Sequence, residues 1–340
     1  MDKKSLDIDI WNWHKVEMDP TDQPDNSCKS GFVGISDSEI LVMYGWSGYR
    51  CNSDIHILNI ESRSWKRLET TGKVPCPRYG MTTLFNKGKI YVFGGYNLNS
   101  YLDDFFELDL KTYNWKSLPQ EPKGRHSHVA FFHNDEMIIF GGRLNHDGVR
   151  TNDMWYYTLN EKKWREVKGF GEVPAERSSH VGVLFENQIY IFGGVDLNED
   201  ALNDLYSYSL DFCHWRKIIL PSDFLIPPPC SSPTALLYKS RMIIVGGQYR
   251  LSSKREDFDE TFEFDLIENK WKKKKIYFKI PRRSCHNATI LNNSIIIFGG
   301  EFMEREHSFK HLNDVWKLDL VKDIQSELMN FLELDIFADI

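Results

Sequence analysis

The sequence predicts an all-β protein, a closed propeller of six four-stranded blades, and three observations predict it. Short apolar runs end in a glycine pair at Gly94-Gly95, Gly141-Gly142, Gly193-Gly194, Gly246-Gly247 and Gly299-Gly300, with Tyr44-Gly45 as a degenerate sixth copy. The second glycines are separated by 50, 47, 52, 53 and 53 residues, a period that marks stacked supersecondary units. A tryptophan follows an acid at fixed distance in five copies, and the matching tryptophan for the sixth stands near the other end of the chain.

Within a repeat the elements fall in the order a, b, c, d from the channel outward. Ahead of strand a, 16 residues before the first glycine or Tyr44, lies the column Cys28, Arg78, Arg125, Arg177, Cys230 and Arg283. Three residues further on, three copies carry His128, His180 and His286, whose recurrence with the repeat points to a structural role. Strand b is a β-branched and aromatic run such as Ile90-Tyr91-Val92-Phe93, closed by glycines where the backbone must turn sharply or be closely approached. After a loop of variable length, strand c opens on Asp54, Asp104, Asp153, Asp204, Glu260 or Asp314, acids expected to bond neighbouring backbone or the column arginines. Strand d carries Trp65, Trp115, Trp164, Trp215 or Trp271, 11 residues after the acid, as core residues packing blade on blade.

The sixth copy has Gln325 at that place, whereas Trp13 sits in Ile10-Trp11-Asn12-Trp13-His14-Lys15-Val16 ahead of the first strand a. Residues 10–18 are therefore expected to complete blade six, which removes the open edge a linear array would leave. The propeller is assigned to 1–320. The tail, 321–340, is predicted helical, with Ile324, Leu328, Phe331 and Leu332 on one face, and serves as packing or as a docking segment.

Composition excludes several function classes. With 41% hydrophobic and 27% charged residues the chain is an ordinary globular protein, and a net charge of −7 leaves no bulk basic field for nucleic acid or an anionic membrane. Met1–Pro20 lacks an apolar signal core and no run reaches membrane-spanning length, so a cytoplasmic or nuclear location is expected, without membrane insertion. Six cysteines without a C-x-x-C pair argue against a zinc site and a disulfide framework; mostly buried, reduced thiols are expected. No G-x-S-x-G, P-loop or G-x-G-x-x-G is present, and the acids Glu256, Asp257, Asp259 and Glu260 are followed by no histidine. Glu301, Glu304, Glu306, His307 and His311 form the best metal-like group, the basis of the rival reading as a metal-dependent enzyme, but read more simply as a solvated charged loop. Lys272–Lys275 reads as a solvated edge. No catalytic residue, no metal and no cofactor is expected.

The glycine pair closing strand b, the acid-led strand c and the spaced tryptophan resemble the kelch-repeat family over about residues 10–320. The lead-ins Gly72-Lys73-Val74-Pro75…Arg78 and Gly171-Glu172-Val173-Pro174…Arg177 are similar to those of free-standing kelch propellers, among them Rab effectors and cullin-RING ubiquitin-ligase substrate receptors. The resemblance implies a non-enzymatic interaction module, either an adaptor or ligase receptor or a small-GTPase or cytoskeletal scaffold, a monomeric propeller within a complex. It also implies a recognition face built from d–a and b–c loops. Here that face would carry Arg78, Arg125, Arg177, Arg282 and Arg283 from d–a loops. The b–c loops would add Trp46, Tyr49, Arg50, Tyr96, Asn97, Arg143, His146, Arg150, Tyr249, Arg250, Phe302 and Arg305, and arginine mixed with aromatics is the composition of a binding hot spot.

One sub-pattern is sharper. Gly141-Gly142-Arg143…Arg150-Thr151-Asn152-Asp153 with Arg177-Ser178 one repeat later is similar to cullin-RING receptors that hold a C-terminal carboxylate. By position, Arg143 and Arg150 would clamp the carboxylate and Ser178 would donate a hydroxyl, since a guanidinium presents paired donors to two oxygens. The expected partner is thus a protein or peptide with a free C-terminal carboxylate or an acidic segment. This chain departs from those receptors in a b–c loop two residues longer, in Ser179 where they have tryptophan, and in a tail without the cysteine of an elongin-binding box.

Overall fold

The structure is a computed structural model describing residues 11–221, 225–251, 254–305 and 308–321. Six of the seven sheets among the described residues are the blades, each with four antiparallel strands a to d. Blade two runs Thr82–Asn86, Lys89–Phe93, Phe105–Asp109 and Asn114–Leu118, and blade three Val129–His133, Glu136–Arg143, Arg150–Thr158 and Lys163–Glu166. Strands b are buried on both faces between neighbouring blades, which is why they read as unbroken apolar runs rather than alternating ones. No helix is present among the described residues, and none is long and apolar enough to cross a membrane. The helix expected over 321–340 falls, from 322 on, outside them.

The ring closes as the displaced tryptophan requires. Strand His14–Val16 pairs antiparallel with strand c of blade six, His14 opposite Lys317 and Val16 opposite Val315. Extending that register by one residue sets Trp13 against Leu318, just as Trp115 faces Leu108 and Trp215 faces Tyr208. Trp11 and Trp13 are buried among Ile243, Val245, Ile295 and Ile297, between blades five and six. Lys274, expected as part of a solvated lysine edge, is instead buried beneath this closing segment, its ammonium 4.2 Å from the Trp11 ring centroid and 3.5 Å from Glu263.

Around the channel the six blades are joined by a closed circuit of backbone hydrogen bonds. Gly80 N–H donates to Lys29 O at 2.9 Å, Ser127 to Gly80 at 2.7 Å, Ser179 to Ser127 at 2.8 Å, and Ser232 to Ser179 at 2.8 Å. Cys285 donates to Ser232 and Lys29 to Cys285, both at 2.9 Å, completing the ring. All six residues sit in the left-handed region, with φ between 51° and 66°. This register corrects one column: Ser27, not Cys28, is equivalent to the arginines, because the a–b turn of blade one is one residue longer, and Gly300 N–H accordingly bonds Ser27 O at 2.9 Å where Gly95 bonds Arg125 O at 2.8 Å.

Behind the circuit each column arginine is a buried clamp. Arg125 Nη1 reaches Gly141 O at 3.1 Å and its two terminal nitrogens hold the Asp153 carboxylate at 2.6 and 2.9 Å. Arg78 holds Asp104, Arg177 holds Asp204 and Arg283 holds Asp314 in the same two-pronged way. These four arginines are at most 1% exposed, so they tie the end of strand b to the start of strand c and do not belong to a partner-binding face as the sequence suggested. In blade five, Cys230 replaces the arginine and Glu260 turns to Lys273. His128 and His286 are likewise structural, bonded through Nε2 to Thr82 and Thr234 of the preceding blade at 3.0 Å.

Four of the five in-repeat tryptophans are at most 5% exposed, but Trp164 is half-buried. Blades two and four carry a short fifth strand, Thr71–Gly72 and Phe170–Gly171, laid parallel along strand d over Trp115 and Trp215. Those strands come from lead-ins in which the column arginine follows the preceding tryptophan by 13 residues; the lead-in to blade three allows only 10. Trp164 has no such cover, and its indole N–H bonds Pro119 O instead. Trp115→Ala is therefore expected to cost ~3–5 kcal/mol in chemical denaturation and Trp164→Ala less than about half of that. Equal losses would contradict the role given to the covering strand. Deleting residues 1–18 removes strand d of blade six and both buried tryptophans, so the melting temperature is expected to fall by roughly 10 °C or more; a change of a degree or two would contradict closure by this strand.

Candidate partner-binding face

Strands b and c of blade three extend beyond the sheet, placing Arg143 and Arg150 directly opposite each other at the tip of the hairpin. Like charges in that register repel unless an anion is shared between them. The anion is the carboxylate of Glu199, from the b–c loop of blade four. Arg150 Nη2 bonds Glu199 Oε1, Arg143 Nη1 lies 3.4 Å from the same oxygen, and Arg250 Nη1 lies 3.0 Å from Oε2. Arg150 is fixed by donating Nε–H to Ser178 Oγ at 3.0 Å and Nη1–H to Gly148 O at 2.9 Å. Arg143 donates to Asn145 O and His146 O at 3.1 and 3.0 Å. Arg143, Arg150 and Ser178 thus converge across the repeat boundary, with Ser178 orienting Arg150 through its oxygen.

Burial pushes the Glu199 carboxyl up, but the hydrogen bond and charge of Arg150, with Arg250 and Arg143, overcome it and hold the pKa below the usual carboxylate range. The backbone at Glu199 is left-handed, φ 66°, an unfavourable conformation for a glutamate. Asp196 fixes this loop by accepting the amides of Asn198 and Asp200 at 2.9 and 3.0 Å. Glu199 is absent from the residues read off the sequence, since nothing in a polar loop marks which acid will point inward.

Beside the clamp runs a chain of aromatic rings. Trp46 meets Tyr79 at 5.6 Å between centroids, Tyr79 meets Tyr96 at 5.6 Å, and Tyr96 meets Tyr101 at 4.8 Å. Tyr96 and Tyr101 both reach His146, at 5.4 and 5.1 Å, and His126 packs on Tyr101 at 5.2 Å while its backbone pairs with Arg143. Tyr79, Tyr101 and His126 are absent from the face residues read off the sequence, although Tyr79 and His126 directly follow Arg78 and Arg125 in the d–a lead-ins. Among the remaining expected residues, Arg250 reaches the clamp, while Tyr49 and Arg50 stand in the b–c loop of blade one. Tyr49 is 70% exposed beneath Arg50, which pairs with Asp25 at 2.7 Å. Tyr249 and Arg250 stand on a separate hairpin, Gln248–Leu251 with Lys254–Asp257, rising from blade five.

The acidic groups singled out in the sequence are mostly neutralised. Glu256 pairs with Arg282 at 3.1 Å, Asp259 with Lys279 at 3.0 Å, and Asp257 accepts Ser284 Oγ and the Met303 amide. In blade six, Glu304 and Arg305 are exposed and Glu306 and His307 lie outside the described residues. Glu301 and His311, expected in a solvated loop, are instead directed inward toward Cys28.

Six antiparallel blades with paired glycines, buried arginine clamps and a loop face define a kelch-repeat β-propeller. The profile of the KLHDC2/KLHL20/DRC7 Kelch-repeats domain matches residues 2–194 and 127–330, and the chain belongs to that family. It is 24% identical over 341 residues to the Host cell factor homolog hcf-1 of Caenorhabditis elegans, an alignment covering 88% of this chain and 43% of that protein. It is 29% identical over 195 residues to human Kelch domain-containing protein 10, covering 52% of this chain and 43% of that one. Human Host cell factor 2 is 30% identical over 222 residues, or 57% of this chain and 27% of the relative. The chain therefore spans less than half the length of these relatives. The solved structure of YjhT superimposes with a TM-score of 0.72 at 18% identity, over 89% of this chain and 97% of the other, a likeness of fold alone. Kelch propellers of this family are in general protein-interaction scaffolds.

If Glu199 and Arg150 form one coupled unit, a double-mutant cycle of Arg150→Met and Glu199→Gln in denaturant unfolding gives a coupling energy of ~1–3 kcal/mol. Additivity within about 0.3 kcal/mol would mean that the contact carries no energy.

Proposed function

We propose that this chain is a non-enzymatic recognition module, an adaptor or substrate-recognition subunit, that reads the C-terminal carboxylate of a protein or peptide with Arg143, Arg150, Arg250 and Ser178. The observation that carries this reading is the convergence of three guanidinium groups on one carboxylate, Glu199, held by side-chain contacts at the open end of a hairpin. A terminal carboxylate presents the same two oxygens, so it can exchange with Glu199 without rebuilding the clamp. The aromatic chain from Tyr101 and His146 to Trp46 continues from the clamp across blades three to one and supplies apolar area for the residues preceding the terminus. The resemblance to carboxylate-holding ligase receptors supports the same assignment.

Glu199 makes the reading testable, because an intramolecular carboxylate competes with the ligand and lowers its apparent affinity by the fraction of clamps left open. The experiment is a peptide library with free C-termini, screened on the intact chain, followed by titration of the best binder. Its amidated form is expected to bind ~30- to 1000-fold more weakly, the cost of leaving desolvated guanidinium groups unpaired. Glu199→Gln is expected to tighten binding of the free carboxylate by about tenfold or more and to leave the amide unchanged. Indifference to amidation, or weaker binding in Glu199→Gln, would overturn the carboxylate reading.

A further inference from the structure

We propose that Cys28, Glu301 and His311 form a zinc site that fastens the first blade to the sixth. The three residues come from opposite ends of the sequence. Cys28 precedes strand a of blade one, while Glu301 and His311 face each other across the b–c hairpin of blade six. The thiol sulfur, one carboxylate oxygen and one imidazole nitrogen lie within 4.8 Å of one another. Cys28 Sγ is 3.4 Å from Glu301 Oε2, and His311 Nε2 is 3.1 Å from that oxygen. Zinc bonds of about 2.3 Å to sulfur and 2.0–2.1 Å to nitrogen or oxygen, set at tetrahedral angles, put ligand atoms roughly 3.3–3.6 Å apart. These two separations are close to that edge length, and sulfur, imidazole and carboxylate together suit zinc over magnesium or calcium.

Two further features point to an ion. His311 Nε2 is buried and faces Glu301 Oε2 at 3.1 Å, a pair that a cation between them would bind through both atoms. The carboxylate is also divided: Oε1 accepts Arg255 Nη2 at 2.9 Å, which leaves Oε2 for the site, and Arg255 is itself held over the Phe309 ring at 4.1 Å. An outer hydrogen bond of this kind is what orients a metal-ligating carboxylate. The other ligands are fixed as well. Cys28 exchanges backbone hydrogen bonds with Trp46 at 3.0 and 2.9 Å, and the His311 ring packs against Gly48, where a Cβ would come within 3.0 Å of it. At this seam the ring is otherwise held near the face by single hydrogen bonds such as Ser27 N–H to Leu312 O, so a three-ligand ion strengthens closure and sets the Trp46 loop.

The test uses the full chain without a histidine tag, stripped with chelator and then supplied with zinc. After gel filtration it is expected to retain about one zinc per chain. The melting temperature is expected to rise by roughly 5 °C at a hundredfold excess over the dissociation constant. Cys28→Ser and His311→Gln should each weaken zinc binding by at least about tenfold, whereas Cys51→Ser and Cys76→Ser should not. Because a variant at the seam can misfold, cobalt loading of the unmodified chain serves as a second readout, with the absorption of a tetrahedral thiolate site expected. The proposal is overturned if the zinc-supplied chain retains no stoichiometric zinc after gel filtration, if both ligand variants retain it as tightly as the parent, or if the cobalt form shows no thiolate band.

Discussion

The circuit of six backbone hydrogen bonds around the channel is the constraint on which the rest of this propeller depends. Each blade donates one amide to the blade before it and accepts one from the blade after, so no blade can rotate without disturbing two neighbours. The geometry requires a left-handed residue at all six positions, yet only Gly80 among them is glycine. Lys29, Ser127, Ser179, Ser232 and Cys285 carry a conformational cost there that the closed ring and the clamps behind it offset. Closure by the strand His14–Val16 then follows: a ring bonded head to tail at its centre is mechanically complete only if its outer seam is also paired.

That rigidity explains how the face can hold three arginines together. The chain carries a net charge of −7, so the positive cluster at Arg143, Arg150 and Arg250 is a local feature built against the average. It persists because the hairpin of blade three and the loop of blade four are anchored by column clamps, Arg125 with Asp153 and Arg177 with Asp204. Two kinds of arginine therefore occur in each neighbourhood. The buried column kind spends its donors on the blade's own backbone and acid, and the second kind, buried at Arg150 and partly exposed at Arg143 and Arg250, meets the carboxylate of a neighbouring loop.

Most of the architecture was legible in the sequence because a repeat multiplies each signal. Glycine pairs, acids and tryptophans in register gave the blades, and one missing tryptophan identified the closing strand. What the pattern could not distinguish was depth. Arg78, Arg125, Arg177 and Arg283 look like face residues in a linear sequence and are among the most buried side chains in the protein. Spacing also misassigned Cys28, because a one-residue difference in a turn is invisible until hydrogen bonds fix the register. Contacts between non-equivalent loops left no trace at all. Glu199 reaches Arg150 across 49 positions and Cys28 reaches Glu301 across 273, and neither pairing repeats from blade to blade.

The central claim is that the Glu199 carboxylate stands where a partner's terminal carboxylate binds. A crystal structure of the chain with its tightest C-terminal peptide tests this most directly. The account predicts the peptide's terminal oxygens between Arg143, Arg150 and Arg250, the Ser178 contact to Arg150 retained, and the Glu199 side chain swung out of the clamp. A peptide bound elsewhere on the face, with Glu199 still held by the three arginines, would contradict it.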